Sequence, residues 1–290
     1  MAMKRNRTIL LILFWSIWIV KESFSQNYKG FIPDSCAYTV ISQPSRTTKY
    51  SQLVYGINFK FPFLMADGAM LLLSDDEVET PMGFALPYEM QNPSESFVVG
   101  NLLLCRYGNA VKSYDGKKVK KVLERQDENF KIYPADNDSF YYIKYEQDSS
   151  LVYLVDLKTE KLTKMFAVPF IIDRFVGSGQ ECFITSGEMI YFVSDEIFTI
   201  VEIADSRVQS IDFYSDGAFY STEKACYYMG LPGKSYPFLL GDIKQLMLVD
   251  NRLYLLFRDG LLSVIDNASQ YQSLLDRAIN EANKKENENH

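Results

Sequence analysis

Six short polar turns recur along the chain at nearly even spacing, and that spacing constrains the fold more than any other feature. They are Asp67-Gly68, Gly100-Asn101, Asp138-Ser139, Gly179-Gln180, Asp216-Gly217 and Asp250-Asn251. Counted from the second residue of each, the intervals are 33, 38, 41, 37 and 34 residues. A period of this size marks a repeat architecture, in which one unit buries its apolar faces only against its neighbours. The intervals are filled by apolar runs: Leu102 to Tyr107, Phe140 to Tyr145, Leu151 to Leu157, Met189 to Val193, Ile197 to Ile203, Ala225 to Met229 and Leu253 to Phe257. Rich in Val, Ile, Phe and Tyr and bounded by Gly, Asp, Asn or Ser, these runs predict β-strands of ordinary length. FYSDGAFYSTEKACYYMG and MLVDNRLYLLFRDGLLSVID both read strand, turn, strand, turn, strand.

Three or four short strands per interval is the spacing of a propeller blade. On these turns and strands the chain is all-β and resembles a six-bladed β-propeller over residues 58–268. The resemblance is to the propeller superfamily in general. Both tryptophans, Trp15 and Trp18, precede the repeats, so the WD dipeptide cannot occur in them; there is no Gly-Gly pair of the kelch kind and no Asp-box ending in Thr-Trp. The resemblance therefore implies an architecture and no activity, since propellers serve as enzymes, scaffolds and receptors alike. Residues 26–57, with the extended SCAYTVIS segment, are expected to supply an outer strand that closes the ring with the last blade, or a plug on one end. A pair of β-sandwiches is the competing fold, and the regular turn intervals argue against it.

Helical periodicity is convincing only over residues 269–290. Tyr271, Leu274, Leu275, Ala278 and Ile279 recur at i, i+3, i+4, i+7 and i+8 behind a Ser269 or Ser273 cap, which predicts a short amphipathic C-terminal helix before the polar tail KKENENH.

At the other end, residues 1–25 read as a secretory signal. Lys4, Arg5 and Arg7 form a basic start, and Thr8 to Val20 is an uncharged apolar run of 13 residues. A transmembrane helix needs about 20 such residues. Ser23-Phe24-Ser25 places small residues where a signal peptidase reads, so cleavage is expected before Gln26. The competing reading is an uncleaved signal anchor with Trp15 and Trp18 at the membrane interface. Export to the periplasm or beyond, with no stable membrane insertion after cleavage, is the expectation.

The formal net charge is −7. Losing Lys4, Arg5, Arg7, Lys21 and Glu22 removes a net +3 and leaves −10. So acidic a domain is a poor candidate for nucleic acid, whose phosphates reward clustered Lys and Arg. Its one basic run, Lys117, Lys118, Lys120 and Lys121 around Val119 and Val122, reads as the solvated face of a strand. Cys36, Cys105, Cys182 and Cys226 permit two disulfides in any of three connectivities but show no CxxC spacing; Cys105 and Cys182 sit in apolar runs that also suit buried thiols.

The sole histidine, His290, lies in the tail, which removes Ser-His-Asp and Cys-His catalysis and histidine-bound zinc. There is no GxGxxG, GxxxxGK[ST] or GxSxG. Asp75-Asp76-Glu77 and Asp136-Asn137-Asp138 lack the Gly and terminal Glu of an EF-hand and read as solvated turns. No metal or cofactor is implied. In a propeller, ligands meet the ends of the innermost strands, which the turn spacing places near Glu95, Asp173, Ser210 and Lys244. Asp173 and Arg174 stand out because a charged pair interrupts the apolar run FIIDRFVG, although neighbours on a strand also point to opposite faces and can simply be solvated. Asp173, Arg174, Glu95 and Lys244 are thus the candidate binding residues. The expected function is a non-catalytic binding or scaffold domain engaging another envelope or secreted protein. The alternative is a carboxylate-dependent hydrolase or lyase acting on a saccharide or small ester, with Asp173 or Glu95 as acid or base.

Overall fold

The computed structural model describes residues 38–42, 50–56, 62–66, 69–74, 77–126, 128–178, 181–214, 217–230, 234–268, 271 and 273. The proposed signal, Cys36, Asp75-Asp76 and nearly all of the expected C-terminal helix fall outside these residues.

The described strands build six four-stranded antiparallel sheets. A first short strand, β1 (Tyr38–Ser42), is set aside for the end of the ring. Blade one is β2 (Tyr50–Val54), β3 (Phe63–Ala66), β4 (Ala69–Ser74) and β5 (Glu77–Ala85); blade two is β6 (Glu95–Val99), β7 (Leu102–Tyr107), β8 (Ala110–Tyr114) and β9 (Val119–Glu124). Blade three comprises β10 (Phe130–Asp136), β11 (Ser139–Tyr145), β12 (Ser150–Asp156) and β13 (Leu162–Val168). Blade four comprises β14 (Arg174–Ser178), β15 (Glu181–Ser186), β16 (Met189–Ser194) and β17 (Ile197–Ile203). Blade five is β18 (Ser210–Tyr214), β19 (Gly217–Ser221), β20 (Ala225–Gly230) and β21 (Lys234–Leu240). Blade six takes β22 (Ile243–Val249), β23 (Arg252–Phe257) and β24 (Leu262–Ile265) from the end of the chain, and β1 from its beginning as the outermost strand. The first strands touch in sequence around the ring, β2 to β6 to β10 to β14 to β18 to β22, and β22 returns to β2. The architecture is a six-bladed β-propeller.

The core is the set of six interfaces between blades. Second strands are apolar on both faces because each blade is covered on both sides. Along β23, Leu253 and Leu255 are buried against blade five while Tyr254 and Leu256 are buried against blade one. Along β15, Cys182 and Ile184 face blade three and Phe183 faces blade five. Phe140 on β11 packs into the joint between blades two and three. Cys105, Cys182 and Cys226 are buried free thiols in three different joints. Burial pushes the Cys105 and Cys182 thiols up to about 12. Tyr271, the one buried residue described from the C-terminal segment, stacks edge-on to Phe219 at 6.1 Å and tilts over Tyr228 at 5.2 Å.

Two sequence expectations shift. Five of the six turn anchors join the first and second strands of a blade, but Asp67-Gly68 lies between β3 and β4, one strand further out. The first blade accordingly starts at Tyr50, inside the segment assigned to the N-terminal extension, whose β1 alone closes the ring. Gly217 also has a different reason for being glycine than turn conformation. A Cβ there would stand 2.2 Å from the Met229 carbonyl oxygen, so the close approach of β19 to β20 requires it. Asp250 and Asn251, by contrast, both have positive φ, 55° and 113°, as a tight hairpin between twisted strands demands.

Outermost strands leave one edge of backbone unpaired. Lys120 and Lys121 in β9, Lys164 in β13 and Pro237 in β21 interrupt three of these edges, and the short β1, YTVIS, has neither Lys nor Pro. β17, IFTIVEI, has neither Lys nor Pro, and Ile197, Ile200 and Ile203 are 69%, 52% and 65% exposed.

Candidate functional site

All six innermost strands begin at the same end of the central channel. Their opening residues Ser51, Gln52, Glu95, Lys131, Arg174, Ser210, Lys244 and Gln245 line a cavity of about 640 Å³ at that mouth, together with Asn92, Ser94, Gln209 and Arg258. Gln52, Glu95, Tyr133 and Gln245 are shared with a second cavity of about 230 Å³ further in, which Tyr55, Asp212, Ile132, Gly177 and Met247 also line.

Polar side chains at this end stitch the blades together. Gln245 accepts from the Leu53 N–H and donates to the Leu53 carbonyl, both at 2.8 Å, so one amide completes a strand-like pairing between blades six and one. Gln52 accepts from the Ser96 hydroxyl at 3.0 Å across the next joint. Lys131 and Tyr133 donate to the Asp173 carbonyl at 2.9 and 3.2 Å, and Arg174 donates to the Gln209 carbonyl. Lys244 donates to the Ser51 carbonyl at 2.6 Å.

Electrostatically the mouth is cationic. Burial and then the Arg174 charge hold Lys131 below the usual lysine range, and burial and then Arg258 do the same to Lys244. Burial raises the Glu95 carboxyl, partly offset by Arg106, whose Nε lies 3.1 Å away. Burial also works upward on Asp173, but the Gly187 N–H at 2.8 Å and Arg207 at 2.5 Å outweigh it and hold that carboxyl below its ordinary value. Deeper in the channel, Asp212 accepts from the Leu248 N–H at 2.6 Å and the Phe213 N–H at 2.8 Å, and burial still lifts its pKa to about 6. Burial and the Asp212 charge raise the nearby Tyr55 phenol.

Of the four candidate residues, Glu95, Arg174 and Lys244 converge on the mouth cavity. Asp173 presents its main-chain carbonyl toward Lys131 and Tyr133, and its carboxylate turns to Gly187 and Arg207. Lys131, Arg258 and Asp212 join the site without having been singled out. Turn spacing locates the starts of strands β10 and β18 and so could have led to Lys131 and Asp212; Arg258, on the loop between β23 and β24, gives no such signal. Asp138 of the Asp136–Asp138 turn is paired with Lys158 at 2.6 Å, and among the described residues no three His, Cys, Asp or Glu side chains group together.

No protein-family model matches the chain, and no curated protein does. Solved structures do. A gluconolactonase of Xanthomonas campestris superposes with a TM-score of 0.57 at 12% identity, over 83% of this chain and 91% of that one. The WD40 propeller domain of Doa1 gives 0.52 at 9%, over 79% and 97%. PorZ, a surface component of the type-IX secretion system of Porphyromonas gingivalis, gives 0.50 at 12%, over 80% of this chain and 38% of that chain. The likeness is one of fold. An enzyme, a WD40 domain and a secretion component share it, as propeller architecture allows.

Proposed function

We propose that the protein is an exported, non-catalytic binding propeller that engages another envelope or secreted protein through the outer edge of blade four. The observation that carries this reading is β17. A seven-residue strand with an unpaired edge, exposed isoleucines and none of the Lys or Pro that guard β9, β13 and β21 offers a template to an extended segment of a partner. Main-chain hydrogen bonds supply affinity in such strand addition, and alternate side chains supply selectivity. Kinship of fold with a bacterial surface component is compatible with this setting.

The test is affinity capture from the source's own envelope fraction, with the wild-type chain and the Ile197→Lys, Ile200→Lys variant side by side. A protein retained by the wild type and lost by the folded variant supports the reading. Equal capture by both moves the contact elsewhere.

A carboxylate-dependent enzyme is the second reading. Asp212, with its pKa near 6, and Glu95, raised by burial, both open on the channel, and groups of this kind suit acid or base work near neutrality. Turnover of a saccharide, lactone or ester that disappears in Asp212→Asn or Glu95→Gln, with substrate binding retained, would replace the binding reading.

A further inference from the structure

On a chain of formal net charge −7, four cations gather at the channel mouth: Lys131, Arg174, Lys244 and Arg258. Arg258 is matched by Asp242 at 2.8 Å. The carboxylates close to the other three are already engaged, Glu95 by Arg106 and Asp173 by Arg207. Among the described residues, Lys131, Arg174 and Lys244 form no ion pair; each donates to main-chain oxygens instead. Those hydrogen bonds account for a donor at each position but not for a charge. Gln245 and Gln52 likewise donate to main-chain oxygens across their own joints, to Leu53 and Ser96, with neutral amides. Three like charges around one opening repel, and the repulsion is weakly screened where the groups are partly buried. Burial first, and then the neighbouring charge of Arg174 for Lys131 and of Arg258 for Lys244, holds both ammonium groups below the usual lysine range.

We infer that the channel mouth is a binding site for a small anion carrying two or more negative charges. One charge would leave two of the three cations uncompensated, so the arrangement selects a multiply charged ligand such as a phosphate ester, a diphosphate or a polycarboxylate. The cavity volume of about 640 Å³ lies within the range of roughly 300–1,000 Å³ that small-molecule pockets occupy. Gln52 and Gln245, shared with the deeper cavity, offer neutral polar contacts beneath the charges. This site is separate from the outer edge of β17, and each stands or falls without the other.

Isothermal titration of the purified chain with inorganic pyrophosphate and with citrate tests the inference, and the two arms distinguish phosphate from carboxylate chemistry. Saturable one-site binding of at least one anion is expected, weakening as salt is raised. Lys131→Gln with Lys244→Gln should reduce affinity at least about tenfold, each lysine charge contributing through a partly buried contact. Lys120→Gln with Lys121→Gln, on the exposed outer strand β9, should leave it unchanged. If the mouth variant fails to fold, the wild-type thermal midpoint decides: it should rise with pyrophosphate or citrate and not with trehalose. No binding of either anion at millimolar concentration overturns the inference, as does equal binding by a folded mouth variant. Binding of poly-glutamate without either small anion overturns it too, and makes the mouth a contact for an acidic protein segment.

Discussion

At the scale of single residues, Asp212 makes the sharpest claim. Its native pKa near 6 lies above the value of about 3.9 that an unfolded chain would give it. The native state therefore holds this proton between about pH 4 and pH 6 while the unfolded state has lost it, and stability falls as pH rises through that window. The loss attributable to this one group is on the order of 3 kcal/mol and is complete above about pH 6. In Asp212→Asn that part of the pH dependence should vanish. Because the Leu248 and Phe213 N–H groups meet different oxygens of the Asp212 carboxyl, the amide of the variant would set its own NH2 against one of them, and the variant should also lose about 1 kcal/mol at pH 4. Urea midpoints measured from pH 4 to pH 8 check both statements; a wild-type slope retained in the variant would assign it to another group. Little of this residue's character is legible in the sequence. Asp212 sits in SIDFY, an ordinary strand-like string, and its desolvation depends on five other blades closing around the channel.

At the scale of elements, the strands announce themselves and their partners do not. β7 and β17 have the bounds expected from their apolar content and from the polar turns that bracket them, although only β7, a second strand, owes that content to burial, and β17 lies exposed at the outside of its blade. β2, in contrast, reads YSQLV and is separated from β3 by residues without a compact turn signal, so the first blade is displaced by a strand when anchors alone are counted. A second repeat is invisible in the sequence altogether. In every blade the pairing of the third strand with the outermost strand breaks register once, at Met70/Leu72, Val111/Lys112, Val152/Tyr153, Ile190/Tyr191, Cys226/Tyr227 and Val40/Ser42. Such a bulge sharpens local twist, and it is set by backbone geometry that many residues tolerate. The interfaces between blades carry the stability. Phe140→Ala should cost about 3–5 kcal/mol by leaving a cavity, and Leu253→Asp should cost more by burying an unpaired charge. Chemical denaturation of both is the check, and a loss under 1 kcal/mol in either would contradict the packing described for Phe140 and Leu253.

At the scale of the whole molecule, the expected processing and the closure of the ring each have a measurable consequence. With Trp15 and Trp18 both in the proposed signal, the processed protein should fluoresce from tyrosine alone, and its intact mass should begin at Gln26. Tryptophan emission from the native purified protein would mean that the segment is retained. The ring is completed by β1, which reaches the last blade at Leu262 to Ile265. A chain truncated before Arg252 should therefore lose β23 and, with β24, the partner of β1, and be cleaved rapidly by a protease that spares the full-length protein; equal resistance would show that the ring holds without its closing strands. In a chain delivered N-terminus first, β1 must wait, unpaired, for β24, more than two hundred residues later. Blades can form one by one in the meantime, but β1 and the exposed flank of blade one remain open to other molecules until residue 265 has arrived, so the vulnerable interval, and the use for a chaperone, lasts until the sixth blade closes.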